Sequence, residues 1–185
     1  MTRLWLVRHG PTHATGMVGW SDLPADLSDT DALARLNAHL PADAPVVSSD
    51  LTRAVTTADA LSPRRRLPHD RDWRELNFGR WELRRWDEVE DQARARAFWD
   101  DPGDTCPPGG ESWNALTARV TAAIDRLAAH PEVIVVAHFG PILAALQLAE
   151  GLTPAAAFTH RIEPLSVTCL DLGPAPRAMA INHRP

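Results

Sequence analysis

Apolar residues along the chain fall into short continuous runs and longer stretches with a three-to-four-residue repeat, and the two kinds alternate. Residues 3–7, Arg-Leu-Trp-Leu-Val, form a continuous run of the kind a strand shows when both faces of a parallel sheet are covered. From Ser28 to Leu40, Leu33, Leu36 and Leu40 repeat at helical spacing behind an N-capping residue, and Pro41 stops the segment. Ala44 to Val47 predicts a second strand, and Asp50 to Leu61 a second helix carrying Arg53 in its first turn. Leu116, Val120, Ile124 and Leu127 step along a helix that should begin after Ser112 and run to Ala129. Glu132 to Ala137 holds four β-branched residues in a row, the strongest buried-strand signal, with His138 at its end as His9 follows the first strand. Gly140 to Glu150 reads as a helix, and Ser166–Leu172 and Arg177–His183 as two closing strands. The alternation predicts an α/β fold: a three-layer α/β/α sandwich with a mostly parallel central sheet and helices on both faces.

Residues 64–113 interrupt this alternation. They hold Trp73, Trp81, Trp86, Trp99 and Trp113, five of the seven tryptophans, with many charges and no clear strand. Trp86 to Trp99 predicts a helix, and Asp100 to Gly110, with its Pro and Gly pairs, a loop. The segment is expected to be a Trp-rich lid inserted in a single domain spanning residues 1–185.

Composition narrows the function classes. A chain of 185 residues with 44% apolar and 23% charged residues fits one folded domain. Its 19 basic residues, all Arg, face 24 acidic ones, and the net charge of -5 argues against nucleic acid or an anionic membrane as partner. Cys106 and Cys169 lie far apart without CxxC spacing, so neither a disulfide scaffold nor a cysteine zinc module is expected. With no apolar run near the ~20 residues of a membrane span and no export-signal pattern, the expected location is the cytoplasm. The sequence leaves the oligomeric state open, a homodimer included.

In open α/β sheets the ligand crevice lies beyond the carboxyl ends of the strands. Three segments there deliver Arg8 with His9, Arg53, and His138, while helix amino termini add unpaired N–H groups, so the crevice suits an anion. Arginine suits a phosphate because its planar guanidinium gives paired, charge-assisted hydrogen bonds at any working pH. A neutral histidine can attack phosphorus if one ring nitrogen is free and the other donates to a carbonyl. Each residue alone has a plainer reading: His9 and His138 as structural residues, Arg53 and Glu75 as solvated charges. His13 stands four residues beyond His9, a zinc spacing on a helix, but Gly10 and Pro11 break helix there and no metal site is expected. The tryptophans read first as packing, and Arg64–Arg66 as a solvated run.

Five ordered blocks change those readings. Leu6-Val7-Arg8-His9-Gly10-Pro11-Thr12, Ser48-Ser49-Asp50-Leu51-Thr52-Arg53-Ala54, Glu75-Leu76-Asn77-Phe78-Gly79-Arg80-Trp81-Glu82, Pro108-Gly109-Gly110-Glu111-Ser112 and Val136-Ala137-His138-Phe139-Gly140 resemble the signature blocks of the histidine phosphatase superfamily, in its order. The resemblance spans residues 3–172 and looks most like the small phosphatase branch. It implies a metal-independent, cofactor-free phosphatase of small-molecule phosphate monoesters. His9 would be the phosphorylated nucleophile, with Arg8, Arg53 and His138 forming the phosphate pocket and Glu75 the general acid. Partial burial of Glu75 would raise its pKa and keep it protonated. Thr12, Thr15, Trp20, Glu111 and Phe139 are further candidate substrate contacts. Thr15 stands where many relatives have Asn, Phe139 where Gly is usual, and Leu83 where Gly often follows Trp-Glu. The alternatives are a phosphoglycerate mutase-type transferase and a non-catalytic phosphate-binding regulator.

Overall fold

The computed structural model describes residues 2–185. Strands β1 (Arg3–Arg8), β2 (Val46–Ser48), β3 (Glu132–Ala137), β4 (Val167–Asp171) and β5 (Arg177–His183) form one sheet in the order β2-β3-β1-β4-β5. The helices are α1 (Thr30–His39), α2 (Thr52–Asp59), α3 (Gln92–Asp100), α4 (Trp113–Arg126), α5 (Phe139–Glu150) and the short α6 (Pro154–Ala157).

Strands β2, β3 and β1 are parallel neighbours, with Ser48 level with Val136 and Arg8 level with Ala137. Their carboxyl ends therefore meet at one edge, where Ser49, His138 and His9 follow. β4 runs antiparallel to β1, and β5 antiparallel to β4, so the sheet is mixed and β4 alone is reversed. The connection from β4 to β5 is too short for the crossover that a parallel neighbour requires.

Successive strand residues point to opposite faces and enter two cores. Leu4, Leu6, Val133 and Val135 pack with Leu116 and Val120 of α4 and Ile142 and Leu146 of α5. Val7, Ile134 and Val136 pack with Leu36 of α1 and Ala54 and Ala58 of α2.

Local chemistry moves some boundaries. α1 is capped by Asp29, whose side chain accepts from Ala32 N–H, because the expected cap Ser28 is held by Asp26 in the preceding turn. β2 starts at Val46, behind Pro45, which has no N–H to give a ladder. The expected helix from Trp86 to Trp99 divides into a 3₁₀ turn, Trp86–Glu88, and α3, which begins behind Asp91, whose side chain accepts from Arg94 N–H. Trp73, Trp81 and Trp113 are buried in the core with Leu4 and Leu6, whereas Trp86 is exposed, so the Trp-rich segment is largely a packed flank of the sheet. Among the described residues no helix is long and apolar enough to cross a membrane.

Candidate active site

The parallel strand ends gather one buried polar cluster. His9 follows β1, His138 follows β3 and caps α5, and Arg53 lies in the first turn of α2, which follows β2. The two imidazoles stand 4.9 Å apart between ring centres. His9 Nδ1 lies 2.6 Å from the carbonyl of Gly10, and with that nitrogen as the donor the ring lone pair is on Nε2, the side that faces Arg53. Burial first, then the neighbouring Arg53 charge, lowers the His9 pKa to about 3, so the ring is neutral across the physiological range.

The cations around it, Arg53 buried and Arg8 half-buried, bond to neutral partners. Arg53, fully buried, donates from Nε to His9 Nε2 at 3.3 Å, from Nη1 to Ser21 O at 2.8 Å and from Nη2 to Gly19 O at 2.6 Å. Arg8 donates from Nη1 to Ile162 O at 2.5 Å, and its Nε is buried with no protein partner. Burial lowers both guanidinium pKa values, although both remain cations. Both guanidinium groups spend their protein hydrogen bonds on carbonyls and an imidazole, with carboxylates acting on them only at longer range, so a bound anion would meet donors that no carboxylate pairs directly.

His138 is also buried and neutral, its pKa driven well below the usual value by desolvation and then by His9 and Arg53. Its Nε2 faces Ser49 Oγ at 2.6 Å, and its Nδ1 is buried without a protein partner. Ser49 Oγ also accepts from Leu51 N–H at 3.4 Å, and where its hydroxyl proton is given to Nε2, Nδ1 is the N–H donor of His138.

Glu75 sits at the same edge. Its Oε1 accepts from Leu76 N–H and from Gly140 N–H, both at 2.9 Å, and a Cβ on residue 140 would collide with that oxygen. Desolvation raises the Glu75 pKa against the opposing pull of those N–H groups and of Arg53 and Arg8. A carboxyl group whose burial raises its pKa, next to two cations and a neutral imidazole, is suited to deliver a proton where negative charge develops.

The softer candidates divide. Phe139 lies under the Arg8 guanidinium, 5.7 Å from ring centre to Cζ. Trp20 donates from Nε1 to Glu75 O at 2.8 Å and carries the Arg74 guanidinium 4.9 Å from its ring centre. Thr12 is half-buried, and Thr15 is exposed, outside the buried cluster. Glu111, expected to line the crevice, instead spends both carboxylate oxygens on Arg119, and Oε1 also accepts from Asn77 N–H. Its contacts are therefore internal to the protein.

Sequence reasoning missed three residues that organise this site: Ser49, Glu82 and Arg119. Arg119 ties Glu111 to the carbonyls of Asp72, Arg74 and Glu75, holding the backbone that carries the acid. Ser49 and Glu82 lay inside the quoted blocks, whereas Arg119 left no signal beyond a polar position on an amphipathic helix.

A family model described as the histidine phosphatase superfamily (branch 1) matches residues 4–180. An adenosylcobalamin/alpha-ribazole phosphatase of Salmonella typhimurium is 34% identical over 185 residues, covering 92% of this chain and 90% of that protein. A glucosyl-3-phosphoglycerate phosphatase of Mycolicibacterium vanbaalenii is 36% identical over 170 residues, covering 80% and 73%. The crystal structure of the alpha-ribazole phosphatase from Shigella flexneri superposes with a TM-score of 0.81 at 25% identity, covering 98% of this chain and 96% of that one.

Proposed function

The chain belongs to the histidine phosphatase superfamily and is a phosphoric monoester hydrolase, and on that premise we propose that it hydrolyses small-molecule phosphate monoesters through a phosphohistidine formed on His9. The observation that carries this reading is the neutral His9 ring, its Nδ1 at the carbonyl of Gly10 and its Nε2 turned to the buried Arg53 across a long, 3.3 Å contact. In the first half-reaction Nε2 attacks phosphorus, the bond to the leaving oxygen breaks, and Glu75 gives that oxygen its proton. In the second, the Glu75 carboxylate takes a proton from water, the water oxygen attacks phosphorus and the P–N bond breaks. Free imidazole and inorganic phosphate result. Arg8, Arg53 and the Nδ1–H of His138 serve the equatorial oxygens, donors already in place before charge develops.

In this reading helices sandwich the sheet on both faces within one domain, and the segment 64–113 decides which leaving group is admitted. A cleft beside Glu75 is walled by Trp99, Phe139 and Phe158, and Glu75 is its one charged lining residue. The cleft has about 30 Å³ of room, about one water, so a leaving group would meet this apolar wall rather than enter it, and an uncharged group does so at less cost than the carboxylate of a phosphoglycerate. Alpha-ribazole phosphate is accordingly the first substrate to try, ahead of sugar phosphates and nucleotides.

The test is turnover of p-nitrophenyl phosphate in excess EDTA by the wild type and by His9→Ala. Metal-independent turnover lost in His9→Ala supports the proposal. Turnover abolished by EDTA, or phosphate binding without any turnover in the wild type, contradicts it.

A further inference from the structure

The loop Gly19-Trp20-Ser21 supplies the two carbonyls that hold Arg53, and the loop is itself held by one carboxylate. Glu82 Oε1 accepts from Trp20 N–H at 2.8 Å and from Phe78 N–H at 3.1 Å. Glu82 Oε2 accepts from Gly19 N–H at 3.0 Å, Ser21 N–H at 3.3 Å and Ser21 Oγ–H at 2.7 Å. Three successive backbone N–H groups converging on one point form an anion-binding concavity. Here the protein fills that concavity with its own side chain, so the loop's amides point inward to Glu82. The carbonyls of Gly19 and Ser21 are presented to Arg53. A side chain on residue 19 would collide with Glu82 Oε1 and Leu76 O, so the close approach depends on glycine there.

The consequence for Arg53 follows from its donor count. A guanidinium has five N–H groups. One goes to His9 and one each to Gly19 O and Ser21 O, which leaves two, one on each terminal nitrogen, for the transferring phosphoryl group. With both terminal nitrogens anchored to the loop, the plane of the fork is set before substrate arrives, and such preorganisation is what makes electrostatic stabilisation effective.

We propose that Glu82 is a positioning residue for phosphoryl transfer: by gathering the amides of the 19–21 loop it aims two loop carbonyls at Arg53 and fixes the orientation of that guanidinium toward the phosphate. Glutamine cannot replace it, because its amide has one acceptor oxygen and turns N–H donors toward N–H donors. The same loop donates from Trp20 Nε1 to Glu75 O, so Glu82 also steadies the backbone of the proposed acid. This rests on the reading of Arg53 as a phosphate ligand.

A double-mutant cycle between Glu82→Gln and Arg53→Ala tests both. The measurements are kcat/KM for p-nitrophenyl phosphate and the inhibition constant of inorganic phosphate, with thermal unfolding as the check on folding. In the Arg53 background, Glu82→Gln should lower kcat/KM and weaken phosphate binding by about tenfold or more, while in the Arg53→Ala background it should cost less than about twofold, as expected for groups acting through one contact chain. Equal losses in the two backgrounds would overturn the proposal, since a carboxylate that braces the loop without acting on Arg53 costs the same whether or not Arg53 is present. Wild-type activity and phosphate affinity in Glu82→Gln would overturn it as well. An Arg53→Ala protein with unchanged activity and phosphate affinity would instead overturn the role of Arg53 itself. Should Glu82→Gln fail to fold, Ser21→Ala, which removes one of the five contacts, enters the same cycle with the same two outcomes.

Discussion

The hydroxyl of Ser49 lies 2.6 Å from Nε2 of His138, in a pair of fully buried residues that follow adjacent parallel strands. With the hydroxyl donating to Nε2, Nδ1 is the proton-bearing nitrogen, and Nδ1 is the one that has no protein partner. In that tautomer the pair makes a neutral imidazole a directed hydrogen-bond donor without adding a third charge to a site that already holds Arg53 and Arg8.

Ser49→Ala should free the His138 tautomer and weaken one donor to the phosphoryl oxygens. The expected cost is about tenfold to a hundredfold in kcat/KM, within the range for removing a preorganised donor or its support. Steady-state kinetics and the inhibition constant of inorganic phosphate measure it. Unchanged values in a folded Ser49→Ala protein would remove His138 from the pocket's donor set.

The role of Glu75 is separable by leaving group. Glu75→Gln should slow hydrolysis of an alkyl phosphate by about 10²–10⁴-fold and that of p-nitrophenyl phosphate far less, because nitrophenolate departs without a proton. In the wild type, kcat/KM for the alkyl ester should fall as pH rises through the raised Glu75 pKa, and Glu75→Gln should lack that limb. His9 contributes no limb near neutrality, since its pKa of about 3 leaves it neutral there. Equal loss on both esters would assign Glu75 another task.

Stability carries the same signature with a defined sign. Because the folded-state pKa of Glu75 is raised above its ordinary value, the native state keeps a proton that the unfolded chain loses. Stability therefore declines as pH rises from the ordinary glutamate range toward the raised value. Glu75→Gln removes that linkage, so its unfolding temperature relative to wild type should be higher at pH 7.5 than at pH 4. A relative unfolding temperature independent of pH would contradict the burial argument.

Leu83 adopts φ of +63° and is exposed, at the position where the resemblance placed Gly. A left-handed conformation costs a branched L-residue roughly 1–2 kcal/mol, partly offset by glycine's freedom in the unfolded chain. Leu83→Gly should thus stabilise the protein by up to about 1 kcal/mol. Chemical denaturation measures this directly, and a net loss of stability would mean that the Leu83 side chain packs favourably in solution.

Much of this architecture was legible in the chain because local signals were strong where the site is built. The four β-branched residues of β3 allowed no other element, and the runs ending at Arg8 and Ala137 placed both histidines at strand ends before any contact was known. Other features depend on partners distant in sequence. The reversal of β4 is set by its pairing with β1, not by its own composition. Glu111 read as a crevice residue because its fate is decided by Arg119, two helical turns further on and without a motif of its own. The tryptophans of segment 64–113 had no periodicity, since irregular turns rather than a helix or strand deliver Trp73 and Trp81 to the core.

The central claim is covalent, and acid-labile, alkali-stable phosphate on the protein tests it most directly. Enzyme mixed with ³²P-labelled substrate and quenched in alkali within a single turnover should carry label on His9, and His9→Ala should carry none. Label on another residue, or full turnover with no labelled enzyme at any quench time, would contradict a phosphohistidine on His9.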